Sequence, residues 1–189
     1  MRIEEARLDS GARSDEELMA AVQEGDLEQL GVLFTRHHVR THALCFRLTG
    51  SADAADDLTQ GVFLRVLKYR RTFDARSAFR SWLYRIAYNA AVEHRRLAAA
   101  RAESALGDDV AAEPGSTALD DRHDLLQRAL ARLPADKRDV LVMSRFEQLT
   151  YREIAELLGC TEGTARVRAH RALEELREIC RTLEMQTKS

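Results

Sequence analysis

A chain of 189 residues with 45% hydrophobic and 32% charged side chains has room for one large domain or two small ones, each with a real core. No apolar run reaches the roughly 18 residues a membrane span needs, and the acidic start MRIEEARLDSGARSDEEL lacks the apolar centre of a signal peptide, so a cytoplasmic protein without membrane insertion is expected. The net charge of −2 hides a strong asymmetry: residues 65–101 carry ten Lys and Arg against Asp74 and Glu93, while 1–28 carry nine acids against three arginines and 102–127 seven acids against Arg122.

Nearly every segment reads as helix, for only two prolines occur and no alternating β-branched run is long enough for a strand. Residues 1–14 form an acidic tail, expected to be disordered. Asp15 to Glu24 places Leu18, Ala21 and Val22 on one face. The next stretch repeats Leu27, Leu30, Phe34, His37, Thr41, Leu44 and Leu48 at spacings of three and four until Gly50 stops it. A third helix, from about Ala52 to Tyr69, carries Leu58, Val62, Val66 and Tyr69. Ser77 is the candidate N-cap of a fourth, whose inner stripe is Phe79, Trp82, Leu83, Ile86, Ala87 and Ala90. These four helices can close a bundle over 15–101.

Residues 102–121 include ESALGDDVAAEPGSTALDD, an acidic, small-residue stretch with Gly107, Pro114 and Gly115, which is the composition of a flexible linker. A second helical unit follows over 122–185, with 186–189 as a tail. Its first helix carries Leu125, Leu126, Ala129, Leu130 and Leu133. Pro134 opens the next, with Val140, Leu141, Met143 and Phe146. Thr150 and Glu153 then form a capping box that starts a helix at Tyr151. Gly159 supplies a turn, and Thr161 caps a long last helix with Ala165, Ala169, Ala172, Leu176 and Ile179 inward. The expected fold is all-α: an N-terminal helical bundle and a C-terminal helix-turn-helix domain joined by the acidic linker.

Two patterns point to nucleic acid. The small inner stripe of the last helix lets it press on its partner, and rotation by about 100° per residue turns Gly163, Val167, His170, Arg171 and Glu174 outward, with Arg166 and Arg168 on the flanks. That is the geometry of a recognition helix in a major groove, where arginines reach base edges or phosphates and Val167 a thymine methyl. Which arginine reads a base stays open. The second pattern is YRRTFDARSAFRSWLYR, residues 69–85, with five arginines and five of the chain's eleven aromatic residues. A basic block between acidic flanks suits a polyanion.

The residues that carry these patterns also resemble a family. YREIAELLGCTEGTARVRAHRALEEL is similar to the second DNA-binding domain of bacterial extracytoplasmic-function (ECF) sigma factors. GSADAADDLTQGVFLRVLK resembles their core-polymerase-binding helix, and FDARSAFRSWLYRIAYNAAVEHRR their promoter-melting segment. The likeness spans roughly residues 15–185, with both domains in the expected order. Departures are Gly61 where an acid is usual, Leu67 where Trp is common, and Ala165 and Val167 where Val and Ser are typical.

The resemblance implies a non-catalytic specificity subunit that joins the β and β′ subunits of RNA polymerase core, reads the −35 element as duplex and opens the −10 element, under control of an anti-sigma protein. Asp53, Asp56, Asp57, Leu58, Gln60 and Phe63 would dock on the polymerase. Thr150, Thr161, Gly163, Thr164, Arg166, Val167, Arg168, His170 and Arg171 would face the −35 duplex. Arg71, Phe73, Asp74, Ala75, Arg76 and Ser77 form the candidate loop for a flipped −10 base, with Arg80, Arg85, Arg95 and Arg96 along the backbone. Asn89 either contacts DNA or bonds locally. Phe79, Trp82 and Tyr69 belong to the core on stripe position. The linker is expected to thread the polymerase near the RNA path.

Melting without ATP must be driven by binding, since no Walker-type loop or Mg²⁺-binding carboxylate cluster occurs. Extruding a base costs a few kcal/mol, and a captured base returns about 1–3 kcal/mol. One or two captured bases plus arginine contacts offset local opening. No cofactor is expected. His38, His42 and Cys45 share metal-ligand spacing without an evident fourth ligand, so no metal is expected. Cys45, Cys160 and Cys180 are too few for a disulfide framework. No nucleophile sits in a strained turn on a β-framework, so an enzyme is not expected. Two rivals fit parts of the chain: a helix-turn-helix regulator that never touches polymerase, and a helical adaptor that binds protein. The Arg and aromatic cluster of residues 70–85 favours the sigma reading over both.

Overall fold

The computed structural model describes residues 13–104 and 121–187; the N-terminal tail as far as residue 12, the linker from 105 to 120 and the last two residues lie outside them. Eight α-helices are present among the described residues: α1 (Asp15–Glu24), α2 (Glu28–Thr49), α3 (Ala52–Tyr69), α4 (Phe79–Ser104), α5 (Asp121–Arg132), α6 (Ala135–Leu141), α7 (Tyr151–Leu158) and α8 (Glu162–Thr187). A 3₁₀ turn, Arg70–Thr72, follows α3, and a π turn, Val142–Phe146, follows α6. No strand occurs among them. No helix there is long and apolar enough to cross a membrane.

The helix starts follow capping chemistry. Ser14 and Glu17 form a reciprocal capping box at α1, and Thr150 and Glu153 form another at α7. Ser51 accepts from the Ala54 N–H at α3, and Thr161 from Thr164 N–H at α8. Each cap satisfies a donor the helix itself leaves orphaned. Gly159 ends α7 at φ 63°, a left-handed conformation in which a side chain is strained. The start of α4 differs from expectation. Glu16 of α1, not Ser77, takes the Phe79 N–H.

In the first unit α2 is central, packed on α1, α3 and α4. Leu18, Met19, Val22, Leu33, Leu44, Leu48, Val62, Val66, Phe79, Leu83 and Ala87 are buried there. Asp15 ties α1 to α2, accepting from Arg36 at 2.7 Å and hydrogen-bonding His37 Nε2 at 2.6 Å. In the second unit α8 is the spine against which α5, α6 and α7 pack. Ala165, Ala169 and Ala172 are fully buried, so the small stripe brings the helices close.

The two units touch. α2 contacts α5, α6 and the π turn, and the contact is held by charge. Arg95 of α4 grips Asp139 of α6 through both guanidinium nitrogens, at 2.7 and 2.6 Å. Arg47 of α2 reaches Glu147 at 3.3 Å, and its guanidinium lies 4.6 Å from the centroid of the Phe146 ring. Ser81 of α4 donates to Glu153 of α7.

Candidate nucleic-acid and polymerase interface

Three surfaces emerge from these elements. The first is the start of α3. Asp53, Asp56, Asp57 and Gln60 are exposed and Leu58 half-buried, an acidic face with an apolar edge. Asp56 pairs with His42 of α2 at 3.1 Å. Phe63 does not share this face: it is 6% exposed, with its ring edge-on to Phe34 at 4.9 Å. Its stripe position faces α2, so it supports the surface from beneath. Gly61 has nothing within 4 Å of an added Cβ, so packing does not require glycine where the family usually carries an acid.

The second surface is the loop between α3 and α4 with the outer side of α4. Arg71, Asp74, Ala75, Arg76 and Ser77 are exposed. Asp74 accepts from the Arg76 N–H at 3.0 Å and from its Nη2 at 2.8 Å. The Arg76 guanidinium beside Asp74 holds that carboxyl down to about 2. Phe73 is the correction here. It is 4% exposed, its ring 5.9 Å from Phe79 and 5.3 Å from Trp82. A residue flanked by polar loop positions looks free in sequence, but its side chain turns into the aromatic cluster beneath, which leaves the backbone and the Asp74–Arg76 pair at the loop surface.

Along α4, Arg85, Asn89 and Arg96 are exposed, while Arg80 and Arg95 are half-buried against the second unit. Tyr84 is buried, and its hydroxyl hydrogen-bonds the Glu147 carboxylate. Burial and the neighbouring Asp139 charge push the Tyr88 hydroxyl up to about 12. A cleft of about 340 Å³ runs between the loop and α7, with Ser77, Trp82 and Arg85 on one wall and Arg152, Glu153 and Glu156 on the other. The side of α4 nearest the second unit is therefore faced by carboxylates.

The third surface is the turn α7–Gly159–α8. Thr150, Thr161, Gly163, Arg166, Val167, Arg168, His170 and Arg171 are exposed, and Thr164 is half-buried. Val167 is 50% exposed despite its apolar side chain. Arg166 pairs with Glu162 at 3.0 Å and lies 5.5 Å from the Tyr151 ring centroid, which holds it along the helix axis. His170 lies 3.5 Å from Glu174. Arg168 and Arg171 complete a cationic outer face opposite the alanine stripe. The candidate metal ligands do not converge. His38 Nδ1–H donates to the Phe34 carbonyl, His42 turns to Asp56, and Cys45 is buried.

Comparison with known proteins decides what this pair of units is. Residues 33–101 match the Sigma-70 region 2 family, and residues 123–176 match the Sigma-70, region 4 family. The RNA polymerase sigma factor CarQ of Myxococcus xanthus is 35% identical over 89% of this chain and 98% of its own length. The ECF sigma factor SigM of Mycobacterium tuberculosis is 34% identical over 88% and 85%. This chain belongs to the ECF sigma factors. Among solved structures, the sigma factor RpoE of Bartonella quintana, crystallised with the anti-sigma factor NepR, superposes with a TM-score of 0.67 at 24% identity over 78% of this chain and 94% of that one. CnrH, solved with the cytosolic domain of CnrY, superposes at 0.65 with 23% identity over 89% and 97%. These two likenesses establish a shared helical fold. As a sigma factor, the protein acts in transcription initiation.

Sequence reading missed Glu16, Gln23, Arg47, Asp139 and Glu147. Each makes a contact with a residue far away in the chain, up to 100 positions for Arg47 and Glu147, and such pairings leave no local spacing to detect. The one available signal was an acid beside the apolar run VLVM, at Asp139.

Proposed function

We propose that this sigma factor joins RNA polymerase core in the cytoplasm through Asp53, Asp56, Asp57, Leu58 and Gln60, with Phe63 as their support. The outer face of α8, with Thr150 and Thr161 at the two helix starts, seats on a −35 duplex. The loop Asp74–Ser77 receives an unstacked −10 base, and Arg71, Arg85, Asn89 and Arg96 bind the adjoining phosphates. The chain is a specificity subunit without chemistry of its own. An anti-sigma protein is the proposed regulator, by likeness to the two solved complexes.

One observation carries this reading: a single chain presents an exposed, internally tied polar loop flanked by arginines and, separately, an exposed cationic recognition helix. A regulator that only reads duplex needs the second and not the first. With Phe73, Phe79 and Trp82 buried, stacking on those rings contributes nothing to holding strands apart. Hydrogen bonds to the captured base and charge-assisted contacts to phosphate must supply the few kcal/mol that opening costs. In the conformation described Arg95 is bound to Asp139, so its contact with DNA requires the two units to part.

Run-off transcription with purified core polymerase and a promoter library tests the reading. The expected result is initiation from a defined subset of templates. Arg71→Ala with Arg85→Ala should lower permanganate reactivity of the bubble about tenfold or more while core affinity stays unchanged. No initiation from any double-stranded template would reduce the protein to a helical DNA-binding module.

A further inference from the structure

Helix α1 carries none of the residues placed against DNA in this reading, yet it touches the capture loop twice. Gln23, near its C-terminal end, points its amide at the loop. Nε2 donates to the Arg70 carbonyl at 2.8 Å and to the Phe73 carbonyl at 2.9 Å. Glu16, two turns earlier on the same face, accepts the Phe79 N–H through Oε1 at 2.8 Å. That N–H is an orphan donor at the start of α4. One rigid helix thus holds both ends of the segment from Arg70 to Phe79.

Between the two ties the loop is folded on itself. The Ser77 N–H donates to the Asp74 carbonyl at 2.8 Å, and the Asp74 carboxylate is bound by Arg76. The Phe73 ring plugs the loop's root into the Phe79 and Trp82 cluster. The arrangement leaves the loop tip exposed and its base fixed. That is what a base-reading loop needs, because hydrogen bonds discriminate between bases only when their donors and acceptors are held to within about 0.5 Å. An untied loop must also be ordered on binding, which reduces affinity for every base.

We propose that Gln23 and Glu16 are positioning residues for base selection: they set the shape in which the loop Asp74–Ser77 meets an unstacked −10 base. The inference rests on the functional reading above and extends it to a helix with no DNA contact. Glutamine suits the task because its two amide hydrogens serve two carbonyls at once. Leucine has similar size and no donor. Lysine restores donors on a longer stem.

The test uses the holoenzyme and single-stranded oligonucleotides of −10 type, each position varied through all four bases, with binding read by fluorescence anisotropy. For Gln23→Leu the ratio of best to worst base is expected to fall about fivefold or more, and bubble formation on duplex promoters to slow about tenfold, for two lost hydrogen bonds. Core affinity and binding of −35 duplex stay as in the parent. Gln23→Lys recovers most of the preference. Glu16→Ala repeats the loss, and Glu16→Gln, which keeps an oxygen acceptor, recovers it relative to Glu16→Ala. A structural role alone would lower the melting temperature of these variants and leave base preference intact, which overturns the proposal. Gln23→Leu with parental selectivity overturns it equally. A parent holoenzyme without any base preference on single strands would bring down the functional reading, and this inference with it.

Discussion

Asp139 and Glu147 are both buried carboxylates at the junction of the two units, yet their charges stand on different footings. Asp139 meets Arg95 through two short, parallel hydrogen bonds, a geometry that returns much of what desolvation costs. Glu147 has one longer contact to Arg47 and a Tyr84 hydroxyl. Burial pushes its carboxyl above the ordinary range, and the hydrogen bond and nearby arginines only partly oppose that. A carboxyl raised in the folded state holds its proton more tightly there than in the unfolded chain. Its contribution to stability therefore falls as pH rises from the unfolded value of 4.5 through the higher folded one. Glu147→Gln should leave stability at pH 7 unchanged or slightly higher, and flatten its pH dependence above 4.5. Asp139→Asn should cost about 3 kcal/mol, because it strands a guanidinium that is largely buried. Urea unfolding at several pH values separates the two.

Helix α3 shows how a helix can be stable and still carry an avoidable weakness. Its inner stripe buries Val62 and Val66, and Ser51 caps its start. Gly61 sits in the interior with φ in the helical range and open space where a Cβ would project. Gly61→Ala should therefore add up to about 1 kcal/mol to the unfolding free energy by removing backbone freedom from the unfolded chain, measured by chemical denaturation. Gly61→Glu should be tolerated too, and would restore an acid to the proposed polymerase face. At this scale the sequence was highly legible. The bounds of α1 and α3, the Thr150–Glu153 capping box and the alanine stripe of α8 all follow from spacing and cap chemistry. The π turn did not. Val142–Phe146 looks like continued α-helix in pattern, but the wider turn precedes a left-handed Gln148, φ 54°, and the Leu149 N–H reaches back to the Met143 carbonyl. That redirection places Phe146 beneath Arg47 and buries Glu147.

Across the whole molecule the second unit covers part of the face of the first unit that is proposed to meet DNA. Arg95 and Ser81 are engaged by Asp139 and Glu153, and Trp82 lines the cleft between them. Trp82 is the only tryptophan of the chain, which makes its fluorescence a reporter of docking. Arg47→Ala with Asp139→Asn removes both inter-unit ion pairs. The free variant should emit at longer wavelength and bind single-stranded −10 oligonucleotides more tightly at low salt. Unchanged emission would mean that apolar contact and the Ser81–Glu153 and Tyr84–Glu147 hydrogen bonds are enough to keep the units together. Helix count, most helix faces and the order of the two helical units could be read from local pattern, because periodicity and caps are properties of neighbouring residues. Phe79 and Trp82 fill the core as their stripe position implied, but which arginines face water, that Phe73 joins those rings while Tyr69 is 44% exposed, and which helix ties the loop could not be read that way. Arg95, Phe73 and Gln23 owe their surroundings to partners brought near only by packing, and a charge or ring changes its role with what it is packed against.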